Sequence, residues 1–307
     1  MPTFQQLRYL LAVADTLNFS RAAEQCHVTQ PTLSIQLKEL EARLGTTLVE
    51  RTRARVLLTP VGAEIARRAR IIAAEIDDIR DIARRDDPHA IQSLLRMGVV
   101  HTVGAYVLSV AMPVLGRTFP QTRIHVREEK PEQLQDHLAD GQYDVILLPK
   151  PTVRDDLASF VLVTEPLHLI VPRNHRLAGR GSVRQADLAG ETILTMERGD
   201  GRTDDIARLC RQVGAIEASD YVGTTLDTLR QMVAAGMGIA LLPALYVRSE
   251  VVREELVVAI PLDHPAPSRE ICIAWRKSAQ RAEAYTDFAR TIRDCLKPWD
   301  VSTDAGA

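Results

Sequence analysis

The sequence predicts an α/β protein in three parts: a small N-terminal domain, one long helix, and a larger two-lobed domain. Three observations support this fold class. Residues 1–59 show helical apolar spacing interrupted by helix caps, residues 60–90 hold one long helical stretch, and residues 91–300 alternate strand-like with helix-like segments. With 307 residues the chain also exceeds the usual size of one domain, so we expect more than one core.

The N-terminal domain begins with a helix predicted over residues 3–14. We expect Ser20 to cap a short second helix and Thr29 to cap a third, in which Pro31 occupies the first turn at no cost in hydrogen bonds. Gly45 is expected to end the third helix. The buried stripe of that helix consists of Leu33, Leu37, Leu40 and Leu44.

Three such helices with a tight turn before the third form a helix-turn-helix, and residues 50–59 follow as a short two-stranded wing. With the leucines turned inward, short polar side chains of the third helix can reach base edges, while the wing arginines can contact phosphates. The predicted DNA-binding residues are Ser20, Arg21, Thr29, Gln30, Pro31, Thr32, Ser34, Gln36, Lys38, Arg51, Arg53 and Arg55.

The distribution of charge agrees with a DNA-binding head. Residues 1–70 hold 10 Lys+Arg against 6 Asp+Glu, whereas the whole chain has a net charge of −2. A basic segment on an acidic body indicates a nucleic-acid partner for the N-terminal part alone.

A long helix is predicted over about residues 60–86, with Thr59 and Pro60 at its start. Its apolar positions suit a dimer seam better than the surface of a lone helix. These positions are Ile65, Ala69, Ile72, Ile76, Ile79 and Ile82.

In residues 91–300, strands and helices alternate as in a parallel sheet covered on both faces. We expect lobe I to comprise about residues 91–162 and 270–300, and lobe II about residues 163–269, with two strands crossing between them. A strand over 94–100 precedes a helix over 106–115 that Thr102 is expected to cap. The second lobe is expected to begin with a strand over 167–171.

Ligands of such domains bind where helix N-termini follow parallel strands. Thr102 can donate its hydroxyl there, and Lys130 and Arg202 can supply positive charge for a small carboxylate. The simpler interpretation is that Thr102 and Thr224 are only helix caps, and that His101 is a hydrogen-bonded histidine rather than a metal ligand. The predicted effector-binding residues are His101, Thr102, Val103, Lys130, Pro131, Gly201, Arg202, Thr203, Thr224 and Thr225.

Residues 22–62, AAEQCHVTQPTLSIQLKELEARLGTTLVERTRARVLLTPVG, closely resemble the N-terminal signature of the LysR family of transcription regulators. The resemblance implies a winged helix-turn-helix, a periplasmic-binding-protein-like effector domain and a homodimer or homotetramer. It also implies three partners: a double-stranded DNA operator, a small-molecule effector and RNA polymerase. The family usually carries an Arg where this chain has Ala54, so which wing arginine enters the minor groove stays open.

The C-terminal domain is most similar to the peroxide-sensing OxyR branch of that family, through residues 101–108 and 232–245. In that branch a reactive cysteine lies in the loop where this chain has Gly201, and a resolving cysteine corresponds to Cys210. Because Gly201 carries no sulfur, the sequence favours a regulator that responds to a small anionic metabolite. The alternative is a thiol switch that joins Cys210 to Cys272 or Cys295.

Other function classes have less support. Asp144, His168, Asp204 and Asp205 are titratable residues that an enzyme could use, but the sequence has no nucleophile motif, phosphate-binding loop or metal-ligand spacing. We therefore expect no catalytic activity, no cofactor and no metal. No apolar run is long enough to cross a bilayer, and the first residues do not resemble a signal peptide, so we expect a cytoplasmic protein without a membrane partner.

Overall fold

The computed structural model describes residues 1–51, 55–83, 94–196, 203–251, 255–263 and 266–300. These residues form two compact units, one built on the N-terminal residues through the long helix and one on the residues from Leu94 onward. Each unit has its own apolar core, as separately folding domains do. The two units are described in turn.

The N-terminal unit contains three helices, a hairpin and the long helix. Its elements are α1 (Phe4–Thr16), α2 (Phe19–Gln25), α3 (Gln30–Leu44), β1 (Val49–Arg51), β2 (Val56–Leu58) and α4 (Pro60–Ala83). Leu10, Leu33, Leu37 and Leu40 are fully buried in one core. β1 and β2 pair in antiparallel fashion, as expected for a wing.

The predicted cap of the second helix is wrong. Helix α2 begins two residues earlier than expected, and Asn18 caps it: its side-chain oxygen accepts hydrogen bonds from the backbone N–H groups of Ser20 and Arg21 at 2.9 and 3.1 Å. Asn caps helices as well as Ser does, so composition alone did not separate the two positions. Thr29 caps α3 as predicted, and Gly45 ends it in the left-handed region at a φ of 69°.

The start of α4 lies close against the strand region before it. The Thr59 hydroxyl oxygen accepts a hydrogen bond from the backbone N–H of Gly62 at 2.9 Å, which caps the helix as predicted. A Cβ at position 62 would lie 2.0 Å from the carbonyl oxygen of Leu48. Only glycine fits this approach, because the atom in the way belongs to the backbone.

The second unit is an α/β domain with one extended sheet. Its first elements are β3 (Leu94–Val99), α5 (His101–Thr118), β4 (Arg123–Glu128), α6 (Pro131–Ala139), β5 (Val145–Leu148) and β6 (Leu157–Pro172). The following elements are β7 (Thr192–Met196), α7 (Thr203–Val213), β8 (Ile216–Gly223), α8 (Leu226–Ala234), β9 (Ile239–Pro243) and α9 (Ala244–Tyr246), which continues as a π-turn over Val247–Val251. The last elements are β10 (Val257–Pro261), β11 (Ser268–Arg276), α10 (Ala282–Leu296) and a single 3-10 turn over Lys297–Trp299.

The strand order among the described residues is β4-β3-β5-β11-β6-β9-β7-β8, with β10 also paired to β6. Strands β3, β4 and β5 are parallel to one another, as are β7, β8 and β9. The antiparallel strands β11 and β6 lie between these two parallel sets, each set carrying its own helices. This arrangement provides the two lobes and the two crossing strands that the sequence predicts.

One strand differs from the prediction in length. β6 runs over 16 residues rather than beginning near Leu167. Its first part pairs with β11 in lobe I, and its last part pairs with β9 and β10 in lobe II. The apolar pattern of β6 has no break at the point where its pairing partners change. The sequence therefore gives no sign of where the strand leaves one lobe and enters the other.

Candidate nucleic-acid interface and effector site

The outer face of α3 carries most of the predicted DNA-reading side chains. Thr29, Gln30, Pro31, Thr32 and Lys38 are exposed, as are Ser20 and Arg21 on α2. Thr29 and Thr32 hydroxyl oxygens lie 2.8 Å apart, which fixes both at the start of α3. The helix therefore presents a row of short polar groups with one cation, the composition that reads base edges beside a phosphate.

Two predicted residues of α3 are less available. Ser34 and Gln36 are half-buried, and the Gln36 side-chain oxygen accepts a hydrogen bond from the Gln6 amide of α1 at 3.3 Å. The Gln36 amide also donates to Glu39 at 3.4 Å. The structure therefore gives Gln36 a role in joining α1 to α3.

Sequence reasoning missed one exposed side chain on this helix. Ile35 is 57% exposed, although it neighbours the buried Leu33 and Leu37. An apolar group on a polar face can contact the methyl group of thymine. The sequence did indicate this exposure, because Ile35 lies outside the stripe of buried leucines.

The wing is described in part. Arg51 lies at the end of β1 and Arg55 is exposed just before β2, whereas Arg53 lies outside the described residues. The expectation that all three arginines face one DNA backbone stays a prediction.

The predicted effector site is centred on the start of α5. Thr102 does not cap this helix: α5 begins at His101, and Val100 precedes it without a side-chain cap. Thr102 instead lies inside the first turn and is 1% exposed, and Val103 is fully buried. A threonine cap would hold its own backbone outside the helix and bond the N–H two or three residues later, so the role of Thr102 is different.

A buried ion pair lies against the first turn of α5. Arg269 on β11 donates from Nε to a carboxylate oxygen of Glu165 on β6 at 2.7 Å, and from Nη2 to the carbonyl oxygen of Thr102 at 3.0 Å. The second carboxylate oxygen of Glu165 accepts the backbone N–H of Leu245 at 2.7 Å. Sequence reasoning missed this pair, because nothing local marks two residues 104 positions apart as partners.

Three buried polar atoms at this place have no hydrogen-bond partner among the residues that the structure describes. They are Thr102 Oγ1, His101 Nε2 and Arg269 Nη1. Because a buried polar group without a partner costs about 1–3 kcal/mol, such atoms usually serve a ligand, a water molecule or a conformational change. Glu165 neutralises Arg269, so this site offers hydrogen-bond donors rather than a net positive charge.

The other predicted effector residues lie around the ends of the parallel strands. The backbone N–H of Glu129 donates to the carbonyl oxygen of Val99 at 3.0 Å, which places the turn before Lys130 and Pro131 beside the end of β3. Lys130 is exposed. The cation at the Thr102 carbonyl is thus Arg269, which the sequence analysis did not select.

In lobe II, Met196 at the end of β7 pairs with Gly223 at the end of β8. The exposed Thr224 and Thr225 therefore lie next to the point where β7 ends. Thr225, rather than Thr224, caps α8 by accepting the backbone N–H of Thr228 at 3.1 Å. Thr203 begins α7, while Gly201 and Arg202 lie outside the described residues.

The cysteines are free thiols held in different elements. Cys210 on α7 is 3% exposed and belongs to the lobe II core, and burial raises the pKa of its thiol. Burial also raises the pKa of Cys272 on β11 to about 12. Burial raises the pKa of Cys295 on α10, whose sulfur donates to the carbonyl oxygen of Thr291. Thiolates are the reactive form, so none of these three is poised for fast oxidation.

Of the residues considered for catalysis, Asp144, His168 and Asp205 lie in separate surroundings. Asp144 accepts the backbone N–H of Arg96 at 2.7 Å, Asp205 is exposed and pairs with Arg208, and burial lowers the pKa of His168 on β6. Asp204 lies in the first turn of α7, and its side chain is not described. Among the described residues, no group of three or more His, Cys, Asp or Glu side chains could hold a metal ion.

Comparison with known families agrees with both units. Residues 4–63 match the family described as "Bacterial regulatory helix-turn-helix protein, lysR family", and residues 89–297 match the family described as "LysR substrate binding domain". The second match alone covers more than half of the chain. The chain belongs to the LysR family. It is a DNA-binding transcription regulator with an effector-binding domain, and not an enzyme.

This LysR-family chain is similar to named regulators along nearly its whole length. It is 37% identical to the "Hydrogen peroxide-inducible genes activator" of Pectobacterium carotovorum, over 95% of this chain and 96% of the relative. It is also 37% identical to the "DNA-binding transcriptional dual regulator OxyR" of Escherichia coli strain K12, over 94% of each chain. The predicted resemblance to the OxyR branch is confirmed.

Solved structures show the same relation. A full-length OxyR variant from Pseudomonas aeruginosa superposes with a TM-score of 0.78 at 32% identity, over 95% of this chain and 98% of that one. A cysteine mutant of Corynebacterium glutamicum OxyR with hydrogen peroxide bound superposes with a TM-score of 0.65 at 25% identity, over 97% and 94%. No helix within the described part of this LysR-family chain is both long and apolar enough to span a membrane.

Proposed function

We propose that this chain is a sequence-specific transcription regulator that responds to oxidants. The observation that carries the proposal is its similarity, over 95% of its length, to activators of hydrogen peroxide-inducible genes. These relatives favour the redox response, which the sequence analysis held only as an alternative, over the response to an anionic metabolite.

DNA binding in this proposal uses the outer face of α3 and the wing. Thr32 and Gln30 read base edges from the start of α3, Ile35 adds an apolar contact, and Lys38 and Arg55 bind phosphates. The protein acts as a homodimer or homotetramer on a two-fold symmetric operator and adjusts access for RNA polymerase.

The oxidant route through cysteine begins at Cys210. Its thiolate attacks one peroxide oxygen, which breaks the O–O bond and yields a sulfenic acid and water after proton transfer. A second thiol, from Cys272 or Cys295, then displaces water and forms a disulfide. Because burial raises the pKa of Cys210, this step requires α7 to move and expose the sulfur.

A second candidate is a small bound effector at the start of α5. The buried Thr102 hydroxyl and the Arg269 guanidinium N–H without partners among the described residues favour a ligand that accepts hydrogen bonds, such as peroxide itself or a small carboxylate. A relative whose solved structure carries a cysteine substitution is described with hydrogen peroxide bound, so binding in that protein does not require the substituted thiol. It stays a prediction that Gly201 of this chain occupies the position of the reactive cysteine of the OxyR branch.

One experiment separates the two routes. Binding of the full chain to a fluorescent duplex from its own upstream region is followed by anisotropy at two salt concentrations, with and without hydrogen peroxide. We expect salt-dependent binding that peroxide changes in the wild type. The thiol route predicts that Cys210→Ser abolishes the change and that Cys26→Ser, in the N-terminal unit, leaves it intact.

The effector route predicts the reverse dependence. Thr102→Val removes the hydroxyl but keeps the shape of the side chain, so we expect this variant to lose the response of DNA binding to peroxide. Cys210→Ser is expected to keep that response. Small carboxylates added in place of peroxide show whether an anion alone suffices. If neither peroxide nor any carboxylate alters DNA binding, the proposed response is wrong, and if no duplex binds above the non-specific level, DNA recognition fails as well.

A further inference from the structure

A cavity that none of the predicted effector residues lines lies in the α/β unit. It has a volume of about 460 Å³ and lies between α5, the π-turn after α9 and the C-terminal 3-10 turn. Its lining combines apolar, aromatic, hydroxyl and cationic groups. These include Tyr106, Ser109, Val110, Leu245, Arg248 and Trp299.

Arg248 provides the positive charge of this cavity. Its guanidinium carbon lies 4.6 Å from the centre of the Trp299 ring, so one face of the guanidinium is held by a cation–π contact. Within the described part of the chain, no carboxylate lies within 4 Å of this group. The N–H edges of the guanidinium are therefore open to an acceptor, and its geometry suits a carboxylate.

The remaining walls favour a compact apolar body. The Tyr106 ring is fixed by an edge-on contact with Tyr246, at 5.4 Å between ring centres. Leu245 is buried, Val110 is half-buried, and both apolar residues belong to the cavity lining. Glu250 is exposed beside Ser249, whose hydroxyl donates to it at 2.7 Å, so one negative charge lies next to this lining residue.

The cavity is connected to the start of α5 by a chain of hydrogen bonds. Leu245, in the cavity wall, donates its N–H to Glu165, which accepts Arg269, which in turn donates to the Thr102 carbonyl. Tyr106 stands one helical turn after Thr102 on the same helix. Hydrogen bonds therefore connect the cavity wall with the first turn of α5.

We infer that this cavity binds a second small molecule, an organic monoanion with a compact apolar body, whose carboxylate pairs with Arg248. Binding there shifts the Leu245 backbone and thereby the response at Thr102; this coupling rests on the proposed function, whereas the binding site does not. Allosteric coupling of this kind is reciprocal, so a ligand at Thr102 changes the affinity of the cavity by the same factor.

The test is titration calorimetry on the full chain, with hexanoate as probe and its neutral isostere hexanamide as control. We expect hexanoate to bind about tenfold more tightly than hexanamide, the size of one hydrogen-bonded charge contact. Arg248→Gln abolishes this difference, and Glu250→Gln increases hexanoate affinity because it removes a nearby negative charge. Arg290→Gln, at an exposed arginine of α10, leaves both affinities unchanged.

Three results would overturn the inference. If hexanoate does not bind the wild type, the cavity does not take this class of ligand. If hexanoate binds the wild type and Arg248→Gln with equal affinity, Arg248 does not bind the carboxylate. Loss of hexanoate binding in Thr102→Val with retention in Arg248→Gln places the probe at the start of α5 instead. These results are independent of the DNA-binding response to peroxide, so failure of the second site and failure of the proposed function are distinguishable.

Discussion

At the scale of single residues, Arg269 has a demanding environment. Its side chain is 3% exposed, and that of Glu165 is fully buried. Removing two charges from water is costly, and their attraction offsets this only when the remaining polar atoms find partners. Glu165 achieves this with Leu245, whereas Arg269 keeps Nη1 without a partner among the described residues. The pair therefore combines a structural role with a free donor.

Breaking the pair from the carboxylate side should be severe. Glu165→Gln leaves the buried guanidinium without its counter-charge, so we expect the free energy of unfolding to fall by about 3–5 kcal/mol. Urea denaturation followed by circular dichroism measures the change. The matched control is Glu270→Gln, an exposed carboxylate one residue after Arg269, which should change stability by less than about 0.5 kcal/mol. Equal effects of the two substitutions would contradict the assigned role.

The cap of α2 offers a second test at this scale. Asn18→Ala removes the acceptor for two backbone N–H groups, so the unfolding free energy should fall by about 1 kcal/mol. Ser20→Ala, at the position that the sequence favoured, should have almost no effect on stability. Thermal denaturation of the two variants compares them directly, and a larger loss for Ser20→Ala would argue against the observed cap.

At the scale of elements, α4 is positioned by its first turn. Thr59 caps it, and Gly62 allows its backbone to approach Leu48 closely. Glu41 of α3 also accepts the backbone N–H groups of Leu48 and Val49 at 2.8 and 3.1 Å. Helix α3, strand β1 and helix α4 are therefore joined through one short segment, which fixes the wing relative to α3.

Substitution of Gly62 tests this junction. Gly62→Ala places a methyl group 2.0 Å from a backbone oxygen, so either α4 or the Leu48 segment must move. We expect a loss of about 1–3 kcal/mol in stability and weaker DNA binding, because the wing shifts. Gly116→Ala in α5 meets nothing within 4 Å, and should instead stabilise by up to about 1 kcal/mol. Chemical denaturation distinguishes these opposite signs, and similar effects would refute the steric argument.

On the scale of the whole molecule, α4 carries apolar side chains that its own unit does not cover. Ile72 is 43% exposed and Ile79 is 62% exposed. Their spacing of seven residues places them on one face of the helix. Such a row is costly in water, and it agrees with the proposed dimer seam.

Disrupting this row should dissociate the assembly. Ile79→Asp places a charge in the seam, and we expect the dimer dissociation constant to rise by about tenfold or more, as loss of a buried isoleucine implies. Sedimentation velocity across a concentration series measures it. Val153→Asp, at a side chain that is 96% exposed in the other unit, serves as control. An unchanged dissociation constant for Ile79→Asp would mean that association uses another surface.

The sequence by itself determined the fold class, the order of elements and the polar face of α3. These features depend on interactions within a few residues, such as the caps at Thr29 and Thr59 and the leucine stripe from Leu33. Local signals fail where two neighbours are equally suited, as Asn18 and Ser20 are. Local signals also placed Thr102 correctly at the start of α5. They assigned it the role of a helix cap, because the local sequence pattern does not show that its side chain is buried.

Only the tertiary structure decided which charge meets Thr102 and in which register the two crossing strands pair. Arg269 and Thr102 are 167 positions apart, and Glu165 reaches Leu245 over 80 positions. Such contacts follow from the pairing of β6 with β11, in which Arg269 stands opposite Glu165. Register between distant strands is set by the packing of both lobes together, and a single sequence carries no local signal of it.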